Sequence, residues 1–201
     1  MLAIISPSKT QDFSQCNIDV FSQTRQIESS NELIGILKNK SKSQISKLMS
    51  LSEKLSELNF DRFQKFQLPF TLKNAKQAIL AFKGDVYNGI NAPELSHEDL
   101  EFAQGKVRML SGLYGVIRPL DLIQPYRLEM GTKLSNGKGS DLYDYWGSDI
   151  SNVLNEDESD LIVNLASNEY FKAIDKNTLD ANILDIVFKE KKGDAYKVIG
   201  I

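Results

Sequence analysis

The sequence has almost none of the residues from which most metal and redox sites are built. Cys16 is the only cysteine and His97 the only histidine among 201 residues. An internal disulfide, a cysteine-based metal cluster and a multi-histidine zinc site are therefore excluded, and a histidine-dependent catalytic triad is disfavoured. His97 falls in the first turn of a predicted helix and Cys16 in a polar stretch, so neither has an obvious catalytic partner.

Long apolar runs are also missing. No stretch approaches the roughly 18 apolar residues that a membrane-spanning helix requires. The first residues, Met1–Pro7, lack the basic start and the small-residue cleavage site of a secretory signal. We therefore expect a cytoplasmic protein with no part in the membrane.

What is present fits one globular domain. Hydrophobic residues make up 41% of the chain and charged residues 25%, which is ordinary for a soluble fold of this length. Short apolar runs alternate with amphipathic stretches, a pattern that predicts a single mixed α/β domain over residues 1–201, with a mixed sheet and surrounding helices. The predicted strands are 2–5, 77–87, 161–167, 183–191 and 195–201, and the predicted helices are 32–38, 43–58, 61–66, 97–111 and 141–154. Because the last strand has no polar tail, we expect a natural C-terminal segment to be missing.

The net charge is −3, which argues against a general nucleic-acid binder, but the charge is unevenly distributed. Residues 103–140 carry 6 basic and 2 acidic groups, whereas residues 141–201 carry 6 basic and 13 acidic groups. Such an asymmetry could steer an anionic ligand to one face of the protein. Chance clustering on solvated faces would produce the same counts.

The segment Val107–Gly131 is the most informative part of the chain. It contains three glycines, two prolines, three arginines and two tyrosines between apolar residues that are typical of a core. Glycine lets a backbone approach a ligand closely, and arginine offers planar donors suited to phosphate or carboxylate. We therefore expect an anion-binding site in this segment.

Within that segment, residues 110–115 resemble the hairpin of a helix-hairpin-helix unit, whose backbone amides hold a DNA phosphate. The candidate contacts are Ser111, Gly112, Tyr114 and Gly115. The usual hairpin has one residue between its glycines, whereas here there are two. A helix C-cap followed by a turn is the alternative interpretation.

The arginines and tyrosines of the segment also allow two interpretations. Arg108, Arg118 and Arg127 could bind phosphate oxygens, or they could pair with nearby acidic residues such as Asp121 and Glu129. The tyrosines at 114 and 126 could stack on bases or pack in the core.

Polar loops follow several of the predicted strands, at 6–10, 83–85 and 167–169. In α/β sheets, ligands commonly bind at such strand ends. Lys9 and Lys83 are cation candidates there, although the glycines of a Walker phosphate loop are absent and a surface role for Lys9 is equally simple.

Four carboxylates near predicted element ends could hold a divalent metal or exchange protons, although their mutual distances cannot be inferred from the sequence. They are Asp85, Glu129, Asp141 and Glu169.

Several blocks of the chain resemble the YaaA family of bacterial peroxide-stress resistance proteins, and they occur in the same order as in that family. The resemblance spans essentially the whole chain and rests on Ser6–Thr10, Ala81–Tyr87, Arg108–Ile123, Pro125–Gly131, Tyr145–Gly147 and Asn164–Phe171. It implies a cytoplasmic protein induced by hydrogen peroxide that limits free intracellular iron and hence iron-dependent DNA damage.

The resemblance further implies a mixed α/β fold with a positively charged cleft, a helix-hairpin-helix-like element and binding to duplex DNA without marked sequence preference. It implies no particular catalytic activity, cofactor or metal. It also implies that relatives have a further basic segment beyond the position that matches residue 201. The expected phosphate contacts are Lys9, Lys83, Arg108, Ser111, Gly112, Tyr114, Gly115, Arg118 and Arg127. The alternative left open is an enzyme that acts on a small anionic or nucleotide substrate in a pocket lined by arginine and lysine.

Overall fold

A computed structural model describes residues 1–193 and 195–198. It confirms a single mixed α/β domain. The strands are β1 (Leu2–Ile5), β2 (Thr10–Gln11), β3 (Lys76–Gln77), β4 (Phe82–Lys83), β5 (Val107–Ser111), β6 (Gly115–Ile117), β7 (Leu122–Ile123), β8 (Leu161–Asn164), β9 (Asn182–Asp185), β10 (Lys189–Lys192) and β11 (Ala195–Val198).

The helices surround the sheet and are mostly short. They are α1 (Ile27–Lys38), α2 (Lys42–Met49), α3 (Glu53–Lys65), α4 (Ala78–Ala81), α5 (Asp85–Ile90), α6 (His97–Lys106), α7 (Leu142–Trp146), α8 (Asp149–Asn155) and α9 (Asn168–Phe171), with a 3₁₀ turn at Ala92–Glu94.

The central sheet has five strands in the order β6-β5-β1-β8-β9. β1 is parallel to both β5 and β8, β9 is parallel to β8, and β6 returns antiparallel to β5. The carboxyl ends of the four parallel strands therefore lie along one edge of the sheet, which is where α/β sheets usually bind ligands. Small two-stranded pairs, β2 with β4 and β3 with β7, attach the loops beside this edge.

The predicted strands at β1 and β8 are confirmed, as is the helix that begins after Ser96. Ser96 forms a capping box with Asp99, each side chain bonding the other residue's backbone N–H. That helix ends at Lys106, however, and β5 follows at once. The prediction that the helix continues to residue 111 is wrong because the apolar residues from 107 onward are buried in a strand.

Three other predicted elements are divided by turns. The helix predicted over 43–58 is two helices, α2 and α3, because Ser50 adopts a left-handed conformation and Ser52 caps the second helix. The strand predicted over 77–87 contains two short helices, α4 and α5. The helix predicted over 141–154 is interrupted at Gly147, whose φ is 47°.

The C-terminal predictions are tested only in part. The strand predicted over 183–191 is two shorter strands, β9 and β10, and the hairpin partner of β10 is β11. The predicted continuation of that last strand through residues 199–201 lies outside the described residues.

Candidate functional site

The loop that follows β1 is held in place by hydrogen bonds from two other segments. The Ser6 hydroxyl donates to the Ser167 hydroxyl at 3.2 Å and accepts the Ser167 backbone N–H at 2.9 Å. The Tyr87 hydroxyl donates to the Ser6 carbonyl oxygen at 2.8 Å. The loops after β1, β4 and β8 thus meet at the carboxyl edge of the sheet, and the predicted strand-end cluster is assembled there.

Lys9 and Arg127 converge on a single carboxylate oxygen at this edge. Glu129 Oε1 lies 3.2 Å from Lys9 Nζ and 3.0 Å from one terminal nitrogen of Arg127. The Glu129 side chain is only 16% exposed, whereas that of Lys9 is 64% exposed. The three charges leave a net charge of +1, so this cluster attracts an anion only weakly.

Lys83 lies on β4, opposite Thr10 of β2, and also faces a carboxylate. Its Nζ is 3.7 Å from Asp12 Oδ2. Hydrogen bonds from the backbone and side chain of Ser14, together with the charges of Lys76 and Lys83, lower the pKa of Asp12. Asp12 is therefore ionised at neutral pH and offsets the charge of Lys83.

Arg108 lies in the interior and is committed to a structural ion pair. Its guanidinium binds both oxygens of Asp157, at 2.7 and 2.8 Å, and Arg25 binds the same carboxylate at 3.0 Å. Burial alone would raise the pKa of Asp157, but the hydrogen bonds and charges of Arg108 and Arg25 bring it below the usual value. Because Arg108 is only 4% exposed, a DNA phosphate cannot reach it.

Arg118 is likewise bound by its own chain. Its guanidinium contacts Asp121 Oδ1 at 2.9 and 3.1 Å, and the Arg118 backbone N–H donates to Asp121 Oδ2 at 2.8 Å. Asp121 is fully buried. The pairing alternative raised by the sequence is therefore the one found for Arg118, as it is for Arg127 with Glu129.

The segment 111–115 is a β-hairpin between β5 and β6, not a hairpin between helices. Ser111, Gly112, Tyr114 and Gly115 are all buried. The Ser111 hydroxyl accepts the backbone N–H of Tyr114 at 3.0 Å, so the turn satisfies its own amides. The expectation of a helix-hairpin-helix element at this position is wrong, and none of these residues is accessible to a duplex.

The glycines of this hairpin serve close packing. A Cβ added at Gly112 would collide with the carbonyl oxygen of Leu128, and one at Gly115 would collide with the side-chain amide of Gln26. Gly115 also has a φ of 67°, a conformation that favours glycine. The close backbone approach predicted for these glycines is present, but the partner is the protein itself.

The tyrosines of the segment pack in the core. Tyr114 and Tyr126 form an edge-to-face pair with ring centroids 5.0 Å apart, and the Tyr126 hydroxyl lies 2.7 Å from the Ser111 hydroxyl. Burial raises the pKa of both phenols well above the usual value. Neither ring is available to stack on a base.

The candidate carboxylates do not form one cluster. Glu129 and Glu169 flank the strand-end edge, where Glu169 accepts the Gly131 backbone N–H at 2.9 Å. Asp141 caps α7, and Asp85 lies in the first turn of α5. Among the described residues, no group of three or more His, Cys, Asp and Glu side chains is arranged to hold a metal ion.

A basic groove that the sequence analysis missed lies between α2 and residues 131–133. The groove has a volume of about 530 Å³ and is lined by Lys40, Gln44, Lys47, Leu48, Gly131, Thr132 and Lys133. Within the described part of the chain, none of its three lysines forms an ion pair. A signal was present in the sequence, since residues 38–47 contain four lysines and no acidic residue.

The groove adjoins a pair of helices joined by a tight turn. α2 begins with a capping box at Ser41, and α3 begins after Ser52, only three residues beyond the end of α2. Lys133 is four residues beyond Glu129, so at most about 14 Å of chain separates the groove from the strand-end cations. The groove is therefore close along the chain to the strand-end cluster of Lys9, Arg127 and Glu129.

Within the described residues, none of the helices is long and apolar enough to cross a membrane.

Comparison with known proteins identifies the family. Residues 1–201 match the family model described as peroxide stress protein YaaA. The chain is also 54% identical to the UPF0246 protein AM1_4276 of Acaryochloris marina (strain MBIC 11017), over 204 aligned positions that cover 100% of this chain and 81% of the relative. The protein therefore belongs to the YaaA family of peroxide stress proteins.

Proposed function

We propose that this protein acts in the peroxide stress response by binding duplex DNA through phosphate contacts, without sequence preference, and thereby limits iron-dependent oxidative DNA damage. Family membership supports the stress role. The observation that carries the DNA-binding proposal is the groove with Lys40, Lys47 and Lys133. These lysines have no carboxylate partner among the described residues, and an unpaired ammonium releases the most counterions when it meets a phosphate.

The groove is better suited to DNA than the positions inferred from the sequence. A cation already paired with a carboxylate gains less from a phosphate, because the existing pair must be broken or the two anions must lie close together. Lys9 and Arg127 are paired but partly exposed, so they act as secondary contacts beside the groove, whereas Lys83 faces Asp12. Arg108 and the buried hairpin at 111–115 position the fold and are not accessible to DNA, and Arg118 is bound by the buried Asp121.

The shape of the groove supports the same choice. Gln44, Lys47 and Leu48 of α2 form one wall of the groove, with Lys40 just before the helix. The loop 131–133 forms the opposite wall, and its Gly131 is fixed by the hydrogen bond to Glu169. On this proposal the lysines contact phosphates and not base edges, so binding should show no sequence preference.

At the strand-end cations, the enzyme alternative draws less support from the geometry. Lys9, Arg127, Glu129 and Tyr170 do surround a pocket at the end of β1, but its volume is about 10 Å³. A space of that size holds about one water molecule, whereas small-molecule sites occupy roughly 300–1,000 Å³. An organic substrate does not fit this pocket as it stands.

The proposal is tested by the salt dependence of duplex binding. If Lys40, Lys47, Lys133, Lys9 and Arg127 each meet a phosphate, log K should fall with log[salt] with a slope of about −4.5, from −0.9 per contact. Replacing the three groove lysines by alanine should bring the slope to about −1.8 and weaken binding about 500-fold at 0.1 M salt. Fluorescence anisotropy with two unrelated duplexes of equal length measures both quantities.

A matched control replaces three exposed lysines away from the groove, Lys54, Lys65 and Lys106. This variant has the same net charge as the groove variant, so it separates a local contact from the overall charge. If both triple variants lose affinity equally, the groove is not the binding surface. A flat salt response of the wild-type protein would exclude phosphate contacts altogether.

A further inference from the structure

Residues 13–19, which we term the arch, form a loop fixed at both ends by buried side chains of β3. At the start of the arch, Lys76 Nζ donates to the Asp12 carbonyl oxygen at 3.0 Å. At its end, the Gln77 side-chain amide donates to the carbonyl oxygens of Ile18 and Val20 at 2.9 and 2.8 Å. The arch therefore stands over β3 without filling the space beneath it.

That space is a cavity of about 630 Å³. It is lined by the whole arch, by residues 72–77 and by Pro125. Its rim is exposed at Cys16 and Lys73, while its floor at Lys76 and Gln77 is buried. The volume lies within the range of roughly 300–1,000 Å³ that small-molecule sites occupy, and it is far larger than the pocket beside Lys9.

The floor of the cavity carries a buried cation that has no direct carboxylate contact among the described residues. Lys76 is only 8% exposed, and its ammonium makes one hydrogen bond, to a neutral carbonyl group. Asp12, which precedes the arch, places its carboxylate 3.7 Å from Lys83, and the charge of Lys76 also lowers the pKa of that carboxyl. Among the described residues, no carboxylate lies within ion-pair distance of Lys76, so two of its three donor positions remain for a ligand.

The floor also carries a buried acceptor without a donor. Gln77 is fully buried and uses both of its N–H groups in fixing the end of the arch. Its Oε1 has no hydrogen-bond partner within the part of the chain that the structure describes. Buried polar atoms are almost always paired, so an orphan oxygen at the floor of a cavity indicates a missing donor.

From this juxtaposition of cavity, buried cation and orphan acceptor, we infer that the arch encloses a binding site for a small organic phosphate of nucleoside monophosphate size. The phosphate binds Lys76, with Lys73 at the rim, and a hydroxyl or amino group of the ligand donates to Gln77 Oε1. Apolar walls from Phe13, Leu72 and Pro125 accommodate a planar or ring-shaped body. Asp19 is the one acidic residue of the lining, which leaves a net charge of +1 and favours an anion.

This site is distinct from the proposed DNA-binding groove, since the two share no lining residue. The inference therefore does not rest on DNA binding.

The test is calorimetric titration of the purified protein with adenosine monophosphate, ribose 5-phosphate and inorganic phosphate, each separately. We expect saturable binding of adenosine monophosphate, weaker binding of ribose 5-phosphate and none of inorganic phosphate. Lys76→Met keeps the length of the side chain but removes its charge, and it should weaken adenosine monophosphate binding about ten-fold or more. Lys106→Met, on the exposed end of α6, is the matched control and should bind like wild type.

The single cysteine gives a second, independent measurement. Because Cys16 lies exposed on the rim, a bound ligand should slow its reaction with a chromogenic disulfide reagent, in proportion to the occupancy measured by calorimetry. Duplex DNA binding of Lys76→Met should match wild type, so a failure of the DNA proposal leaves this test unaffected.

Absence of saturable binding of both organic phosphates, or equal binding by wild type and a folded Lys76→Met, would overturn the inference. Should circular dichroism show that Lys76→Met does not fold, amide NMR shifts of the wild-type protein decide the question. Shifts on adenosine monophosphate addition must then fall within residues 13–19 and 72–77. Shifts confined to other residues would place the ligand elsewhere and contradict the assignment.

Discussion

Two basic regions of this molecule, the segment 107–131 and the groove, differ in whether their cations are paired with carboxylates. In the segment 107–131, each arginine is bound by a carboxylate, and two of the three partners, Asp157 and Asp121, are themselves buried or nearly so. In the groove, Lys47 and Lys133 are exposed and Lys40 is half-buried, and none of the three has an acidic partner among the described residues. The same formal charge therefore contributes to folding in one region and is available for binding in the other.

The comparison shows why a basic cluster in a sequence does not by itself define an interface. Arginine binds carboxylates bidentately and tolerates burial better than lysine, so it often serves inside the protein. Lysine keeps a strongly hydrated ammonium at the end of a flexible chain and remains at the surface. Between these two regions the division follows residue type, although lysines elsewhere, such as Lys42 and Lys138, also face carboxylates. Lys76 in the cavity beneath the arch is a buried lysine.

The largest expected difference between the two regions is in stability. Arg108→Ala removes a bidentate partner of a nearly buried carboxylate, so the free energy of unfolding should fall by about 3–5 kcal/mol. Lys133→Ala removes an exposed ammonium and should change it by less than about 0.5 kcal/mol. Urea denaturation of both variants, followed by circular dichroism, measures the difference.

DNA binding should show the reverse order for the same pair of variants. The folded fraction of Arg108→Ala should bind duplex DNA as wild type does, while Lys133→Ala should weaken binding and reduce the salt slope by about 0.9. An Arg108→Ala protein that keeps its stability but loses DNA would show that this arginine is a contact and that the division between the regions is wrong.

The sequence predicted the central part of the fold better than the site. Apolar runs bounded by turn residues predict β1 and β8 correctly, because a strand buried on both faces needs little more than such a run. They also predict which loops meet at the carboxyl edge, since parallel strands bring their ends together. Lys9, Lys83 and Glu169 are strand-end candidates on that reasoning, whereas Glu129 belongs to the segment 107–131 and is predicted only as a carboxylate near an element end.

The hairpin at 111–115 was misassigned for a physical reason. A helix that ends at a glycine and a strand that turns at a glycine have similar local sequences, and short apolar runs do not distinguish them. Tertiary contacts decide between helix and strand here. β5 pairs with β1 on one side and with β6 on the other, and this pairing buries every side chain from Arg108 to Ser111. Pairing between residues more than a hundred positions apart cannot be inferred from one sequence.

The groove was missed for a different reason. Its lysines come from two distant parts of the chain, residues 40–47 and residue 133, and neither part forms the groove alone. The sequence does record the absence of acidic residues over 38–47, but only the fold shows that the loop at 131–133 completes the groove. Absence of a partner is a spatial property, so it becomes visible only when the neighbours are known.

Glycine packing gives the second comparison between regions, with a smaller expected effect. Gly112→Ala forces a Cβ against the carbonyl oxygen of Leu128 in a tightly packed hairpin, so the free energy of unfolding should fall by about 1–3 kcal/mol. Gly137→Ala is the matched control, because nothing lies within 4 Å of its added Cβ. Thermal melts should show a lower midpoint for the first variant alone. Equal melting of the two variants would mean that the hairpin yields at little cost and is not the close-packed core described above.

The smallest expected effect is the acid response of the buried ion pair. Because the pKa of Asp157 is lower in the folded protein than in the unfolded chain, the unfolded state binds more protons in this range. The stability that the ion pair contributes is therefore fully present above the unfolded pKa of about 3.9 and is lost as the pH falls through the folded value. The slope cannot exceed about 1.4 kcal/mol per pH unit for one proton.

The comparison with Asp157→Asn isolates this contribution. Wild type should be the more stable protein at pH 6, and the difference between the two free energies of unfolding should shrink as the pH is lowered from about 5 toward 3. The groove lysines do not change charge over this pH range, so the folded fraction of each protein should keep the same groove charge. A stability difference that stays constant with pH would mean that Asp157 is not held ionised by Arg108 and Arg25. The arginines of the interior would then contribute packing rather than charge, and the contrast with the lysines of the groove would have to rest on burial alone.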